Sequence, residues 1–265
     1  MSKSITQTNP NNIEVTYSIE KFFARFRIAS LMKSANAYKI KGFGVSQIFR
    51  FLFTLVFINR SMYMNEITGK QAIEFGKDTV YRFLKSSHIH WIRFTTRLSS
   101  RIICEAIDPL TSKERKSVLI IDDSSYERNR SKKVELLTKV YDHAKKKYYN
   151  GFRMLTLGWS DGNTFLPVNS ILLSSENKKT RLVEAKEMDK RTTGAKRRKH
   201  SQSKATDAIL PLLEEAKKAN IPASYVLFDS WFTSPKTIHT VKNLGMMWLL
   251  WSRKHQNCIL SLKRK

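Results

Sequence analysis

Cysteine is scarce in this chain, and that scarcity excludes two ways of stabilising a fold. The 265 residues include only Cys104 and Cys258, too few for a disulfide framework or for a zinc site built on paired cysteine motifs. Free cysteines of this kind are ordinarily small buried apolar residues. Stability must therefore come from an apolar core, for which an apolar content of 41% is sufficient.

Long apolar runs are also missing. The most apolar stretch, Phe51–Ile58, is far too short to span a bilayer and is flanked by Arg50 and Arg60. The first twelve residues are polar and lack the apolar region of a signal peptide. We therefore expect no membrane partner and a reducing compartment.

Acidic residues are few relative to basic ones. The chain has 22 Asp and Glu and 48 Lys and Arg, so the formal net charge is +26 and the isoelectric point is about 10.2. Such a surplus opposes compaction by self-repulsion unless an anion is bound. Nucleic acid is the polyanion that this balance favours.

The pattern of apolar residues divides the chain. Residues 1–17 are expected to form a flexible arm, and residues 18–110 a small basic helical domain that binds DNA. The segment Asp108-Pro109 ends the last of these helices, because proline disfavours helical geometry in the residue before it. Residues 111–245 then predict an α/β domain in the order β-β-β-α-β-α, with a hairpin turn at 161–163.

Two short apolar runs in the α/β domain end in carboxylates. Val118–Ile121 is followed by Asp122 and Asp123, and Tyr225–Phe228 is followed by Asp229. Such runs are typical of buried strands, and ligands in α/β sheets bind beyond the carboxyl ends of strands. Each aspartate alone could simply cap a turn. Together, in a basic protein, they predict a Mg²⁺ or Mn²⁺ site that acts on a polyanion.

The segment 190–204 is the most basic part of the chain, with seven Lys and Arg among fifteen residues. It predicts a clamp on the DNA backbone that neutralises phosphates without reading sequence, although a solvated charge run has the same composition. Its basic residues are Lys190, Arg191, Lys196, Arg197, Arg198, Lys199 and Lys204. A second basic cluster, 145–147, is followed by Tyr148 and Tyr149 and is a further candidate.

Two aromatic residues follow the second carboxylate. Trp231 and Phe232 lie two and three positions after Asp229 and could stack on a base of a distorted DNA end. Packing against the adjacent helix is the more common role for aromatic residues so close to a strand.

These motifs together resemble the DDE transposases of bacterial insertion sequences, and among them the IS-four-type group. The resemblance covers roughly residues 20–245 and rests on the strand before Asp122, the hairpin at 151–173 and the segment 228–235. It implies an RNase H-like catalytic core, with Asp122 as the first metal-binding carboxylate, Asp123 as the alternative, and Asp229 as the second. It also implies Mg²⁺ or Mn²⁺ as cofactor, double-stranded insertion-sequence ends as partner, a homo-oligomer on DNA, and a cytoplasmic, nucleoid-associated location.

The resemblance also predicts a third acid, a glutamate on a later helix, and no Asp or Glu follows Asp229. We expect that a frameshift near residue 246 removed it, leaving an incomplete core over residues 111–245 and a frameshifted tail over residues 246–265. The predicted function is DNA transposition by a transposase that is inactive as truncated. A non-catalytic protein that binds transposon ends is the alternative, and a standalone nuclease using Glu184 or Glu187 is a third.

Overall fold

The computed structural model describes residues 10–59, 61–64, 75–251 and 259–261. The chain divides into two compact units, residues 1–90 and residues 91–265, each with its own internal packing. The division thus lies at residue 90, whereas the sequence pattern favoured a boundary near residue 110.

Helices dominate the described part of the first unit: α1 (Pro10–Arg25), α2 (Ile28–Ser34), α3 (Val45–Phe57) and α4 (Lys77–Leu84). Arg27 separates α1 from α2 because its φ of 47° interrupts the helical geometry. Phe22 and Phe23 of α1 pack on Phe53 of α3, with ring centroids 5.6 and 5.5 Å away. Of the predicted arm, residues 10–17 are helical and residues 1–9 lie outside the described residues.

The helix before Pro109 belongs to the second unit. This helix, α5 (Trp91–Ile102), continues as a π-helical turn (Ile103–Ile107) and a 3-10 turn (Asp108–Leu110). The Ser99 hydroxyl donates to the carbonyl of Pro167 at 2.9 Å, and the Ser100 hydroxyl donates to that of Ala219 at 2.6 Å. The amphipathic pattern of α5 is equally compatible with a helical bundle, so long-range contacts such as these, and not the pattern, assign α5 to the α/β unit.

A mixed sheet is the centre of the second unit, as the sequence predicted. Its strands are β1 (Val118–Glu127), β2 (Thr138–Asp142), β3 (Lys147–Ser160), β4 (Phe165–Leu173), β5 (Tyr225–Asp229), β6 (Met247–Trp251) and β7 (Ile259–Ser261). The order is β2-β3-β1-β5-β6-β7, with β4 also paired to β3. β1, β3 and β4 form an antiparallel meander, and β5 and β6 run parallel to β1.

This topology is RNase H-like and contains the predicted β-β-β-α-β-α order. The helices between β4 and β5 are α6 (Thr193–Ser201) and α7 (Ala205–Lys218), and α8 (Pro235–Asn243) connects β5 to β6. The elements beyond the predicted order are the short strand β2, the helix α6 and the strands after α8. β6 forms within the stretch predicted to be a frameshifted tail, and residues 252–258 and 262–265 of that stretch lie outside the described residues.

One face of the sheet carries the main hydrophobic core. Leu119 and Ile121 of β1 lie beside Val226 and Phe228 of β5, and all four are at most 1% exposed. They belong to one cluster with the apolar side of α7, namely Ala208, Ile209, Leu212, Leu213 and Ala216. Because side chains alternate along a strand, the residues between these core positions point to the opposite face.

The turn between β3 and β4 is built on a buried carboxylate. Asp161 Oδ1 accepts hydrogen bonds from the amides of Thr164 and Asn163 at 2.7 and 3.0 Å, and Oδ2 accepts one from the Thr111 hydroxyl at 2.7 Å. These bonds, led by that from the Thr164 amide, lower the pKa of Asp161 to about 2. Gly162 supplies the positive φ, 88°, that the predicted turn requires.

Asp161 should make stability depend on acid pH. The pKa of Asp161 in the folded protein lies below the ordinary value of 3.8. The contribution of Asp161 to the free energy of unfolding is therefore complete above about pH 4 and is lost as the pH falls toward 2. Chemical denaturation from pH 7 to pH 2 should show this loss in wild type and not in Asp161→Asn. At pH 7 the variant should be less stable by about 1.5–3 kcal/mol, because three donors lose a charged acceptor. Equal pH profiles would contradict this role.

None of the helices within the described ranges is both long enough and apolar enough to cross a membrane.

Candidate carboxylate site

Asp122 and Asp229 lie side by side on two neighbouring parallel strands. Asp229 ends β5, whereas Asp122 lies within β1, because this strand continues past the apolar run to Glu127. The last paired residues of β1 and β5 are Ile121 and Phe228, and the two aspartates come one step later. Both therefore point to the face opposite the core, at the spacing of adjacent strands, about 4.8 Å. Two carboxylates at that spacing can share one divalent cation.

Asp123 points to the other face of β1 and already has a cationic partner. Its Oδ2 accepts a hydrogen bond from Nε of Arg153 at 2.5 Å and forms an ion pair with Nη2 of the same side chain at 2.5 Å. Arg153 lies on β3 and is paired with Ser125 across the ladder. One residue of register thus separates two aspartates with different surroundings, which a single sequence could not distinguish.

A cavity of about 930 Å³ lies at this end of the sheet. Its walls come from the end of β1, the β2–β3 hairpin and the segment after β5. They include Asp122, Asp123, Ser124, Ser125, Tyr141, Asp142, His143, Arg153, Asp229, Trp231 and Phe232. All three candidate carboxylates therefore line one cavity that is large enough for a short piece of a polymeric substrate.

A further carboxylate of this cavity, Asp142, is occupied by the hairpin turn. Its Oδ1 accepts hydrogen bonds from the amides of Lys145 and Ala144 at 3.0 and 2.9 Å. These bonds hold the pKa of Asp142 below its usual range. Over residues 10–59, 61–64, 75–251 and 259–261, no three His, Cys, Asp or Glu side chains form a group able to hold a metal ion.

The two glutamates considered as substitutes for the third acid lie elsewhere. Glu184 accepts a hydrogen bond from Arg181 at 3.0 Å and has a mostly exposed side chain. Glu187 lines a second cavity, beside Lys190. Neither residue lines the cavity that contains Asp122 and Asp229.

The two aromatic residues after Asp229 have different environments. Phe232 is 1% exposed and belongs to the hydrophobic core, whereas Trp231 is 67% exposed. The Trp231 ring lies 6.4 Å from that of His143 on the β2–β3 hairpin, and His143 contacts Tyr141 at 5.0 Å. Packing is therefore the role of Phe232, and Trp231 is the residue whose ring remains accessible.

The predicted basic segment is only partly gathered at one place. α6 begins at Thr193, where the Thr192 side chain accepts a hydrogen bond from the Ala195 amide at 3.2 Å. A second cavity, of about 830 Å³, is lined by four of the seven predicted DNA-binding residues, Lys190, Arg198, Lys199 and Lys204. The other three, Arg191, Lys196 and Arg197, do not line it.

Two arginines of this segment are held by carboxylates. Arg198 Nε donates to Glu135 at 2.6 Å, and Arg191 Nη2 donates to Asp189 at 2.9 Å. The hydrogen bond from Arg198 lowers the pKa of Glu135. Burial lowers the pKa of Arg197. We therefore expect Lys190, Lys199 and Lys204 to contribute more to phosphate binding than the arginines do.

Sequence reasoning missed Arg153, Tyr141 and His143. Arg153 did leave a signal, because it is the one charged residue in the otherwise apolar strand segment 151–159. A charge placed there is costly unless it has a partner. Tyr141 and His143 left none, since only the folded hairpin brings them to the carboxylates.

A comparison with protein-family models identifies the superfamily of this chain. A family model described as DDE superfamily endonuclease matches residues 60–259, a range that includes Asp122, Asp229 and β6. A search of curated proteins finds no match. Among solved structures, the Drosophila P element transposase strand transfer complex is similar, with 13% identity and a TM-score of 0.27. The similarity covers 70% of this chain and 33% of that one, so the chain spans about a third of its length.

Proposed function

The chain belongs to the DDE superfamily of endonucleases, and from that premise we propose that it cleaves and transfers DNA strands at the ends of an insertion sequence. We assign it to the IS-four-type transposases on the motifs around Asp122 and Asp229. The proposed partner is double-stranded DNA, bound by a homo-oligomer in association with the nucleoid.

The observation that carries the proposal is the placement of Asp122 and Asp229. They lie on one face, one step after the last residues that pair β1 with β5, and both line the 930 Å³ cavity. We assign the first carboxylate to Asp122 rather than Asp123, because Asp123 points to the opposite face and is paired with Arg153.

The donor set fits Mg²⁺ or Mn²⁺. Hard cations prefer oxygen ligands, and Mg²⁺ is commonly held by one or two carboxylates together with water and substrate phosphates. Asp122 and Asp229 would hold the cation. When bound, divalent cations activate the attacking oxygen and stabilise charge on the leaving oxygen.

The chain's own residues bind and orient the DNA. In the hydrolytic step a water oxygen attacks phosphorus, the bond to the 3′ oxygen breaks, and a 3′ hydroxyl and a 5′ phosphate result. Lys190, Lys199 and Lys204 would neutralise phosphates along the backbone. The accessible ring of Trp231 would stack on a base near the carboxylates.

A non-catalytic DNA-binding protein is the second candidate. It is favoured because the described residues bring no third metal-binding side chain to the pair. In this case the basic surfaces would still bind transposon ends and could compete with an intact enzyme.

One assay separates the two candidates. Purified chain is incubated with supercoiled plasmid and Mn²⁺, Mg²⁺ or EDTA. Nicking that needs the cation and disappears in Asp229→Ala would support the transposase, and salt-sensitive binding without nicking would support the binding protein. Nicking that persists in Asp229→Ala would overturn the assigned site.

The frameshift near residue 246 remains a separate proposal from the sequence. The family match continues to residue 259, and β6 is a regular strand in the existing frame. Sequencing the gene and its downstream region tests it, because the hypothesis requires coding potential for a glutamate-bearing helix in the other frame.

A further inference from the structure

We propose that Arg153 is the phosphate-binding residue of the carboxylate cavity and that Asp123 is the residue that positions its guanidinium. The proposal deepens the proposed function and rests on it, since it assigns the group that holds the DNA strand against Asp122 and Asp229. It also gives Asp123 a role other than metal binding.

The contacts between the two side chains support this assignment. Nε of Arg153 donates to Oδ2 of Asp123 at 2.5 Å, and Nη2 lies 2.5 Å from the same oxygen in an ion pair. A guanidinium has five N–H donors in a fixed plane, so one carboxylate oxygen on one edge does not exhaust them. The Arg153 side chain is about one third exposed and lines the same cavity as Asp122 and Asp229.

The charge balance of the cavity requires a cation on the protein side. Asp122 and Asp229 are carboxylates, and a DNA strand brings further negative charge to the same place. Arginine stays protonated under all ordinary conditions, and its fork matches the oxygens of a phosphate. Arg153 is thus suited to offset repulsion that the metal alone would otherwise have to overcome.

Asp123 supplies the orientation. It lies on the opposite face of β1 from Asp122, beside Leu155 in the register of β1 and β3. Arg153 lies two residues before Leu155 on the same face of β3, so the pair bridges adjacent strands diagonally. Holding the guanidinium from one side leaves it fewer conformations to lose when a phosphate binds.

The test measures the part of DNA affinity that depends on Ca²⁺, which fills hard-cation sites. Fluorescence anisotropy of a labelled DNA duplex is recorded with CaCl₂ and with EDTA for each variant. The variants are Arg153→Gln, Arg153→Lys, Asp123→Asn and Asp122→Asn. Arg115→Gln is the matched control, since Arg115 is also partly exposed and paired with an aspartate, Asp161, but does not line the cavity.

Arg153→Gln should lower the affinity in Ca²⁺ by about tenfold, the loss expected for a charged hydrogen bond. Arg153→Lys should recover part of it, because the charge returns without the fork. The affinity of Asp123→Asn in Ca²⁺ should lie between those of Arg153→Gln and Arg153→Lys. The affinity of Arg115→Gln should match that of wild type. Thermal melts of all variants check folding, and partial rescue by lysine is a result that a purely structural role would not produce.

Two outcomes would overturn the proposal, and they are distinguishable. If wild type gains affinity in Ca²⁺ and Arg153→Gln keeps that gain, Arg153 does not bind phosphate although the metal site stands. If Asp123→Asn abolishes the gain as fully as Asp122→Asn, Asp123 is a metal ligand. A wild-type chain without any gain would overturn the proposed function itself.

Discussion

Asp122→Asn should lose Mn²⁺ binding, whereas Asp123→Asn should keep it. Asparagine at residue 122 removes one of the two carboxylates that lie side by side on the neighbouring strands β1 and β5. We expect affinity for Mn²⁺ to fall by more than about 100-fold, because changes in the outer shell of metal sites alone cost 10–100-fold. Electron paramagnetic resonance of free Mn²⁺, titrated with protein in the absence of DNA, measures this directly.

The neighbouring aspartate is the matched control for this experiment. Asp123→Asn removes the same charge one residue away, on the opposite face and beside Arg153, and should change Mn²⁺ affinity no more than about threefold, since it alters only the surrounding charge. Asp229→Asn should behave like Asp122→Asn. If Asp123→Asn lost Mn²⁺ and Asp122→Asn kept it, the two positions would have been assigned in the wrong order.

Phe228→Ala should unfold the α/β unit more easily than any surface substitution, by about 3–5 kcal/mol. Phe228 is 1% exposed, lies beside Ile121, and stacks on Trp248 with ring centroids 6.4 Å apart. Truncation of the Phe228 side chain leaves a cavity in the core at the position directly before Asp229. The carboxylate pair should therefore lose its spacing together with the core.

Urea denaturation followed by tryptophan fluorescence measures this loss of stability. Leu227→Ala is the control, because Leu227 is on the same strand but only partly buried on the opposite face. It should cost clearly less than Phe228→Ala. Equal losses would mean that the two faces of β5 are packed alike, contrary to the alternation in the structure.

The apolar segments of β1 and β5 could be predicted from the sequence. Val118–Ile121 and Tyr225–Phe228 are apolar runs bounded by polar residues, and both are strands with a buried side. The turn at Asp161 was predictable for the same local reason. Each of these features depends on residues within a few positions of one another, so a single sequence contains the information.

The location of α5 and the ion pairs of the arginines in the basic segment could not be predicted in this way. α5 has a helical pattern in either unit, and its contacts with distant residues decide where it packs, among them the hydrogen bonds of Ser99 and Ser100 with distant carbonyls. The arginines of the segment 190–204 are charged in any sequence-based account. The pairing of Arg198 with Glu135, 63 positions away, depends on contacts formed after folding.

The sequence by itself determined that two apolar strand segments are each followed directly by aspartate and that the protein around them is strongly basic, because strand periodicity and charge are local properties. The tertiary structure decided which aspartates meet. The parallel register of β1 and β5 places Asp122 beside Asp229, and the alternation of side chains turns Asp123 toward Arg153. Register and facing depend on pairing between residues about a hundred positions apart, which no local pattern specifies.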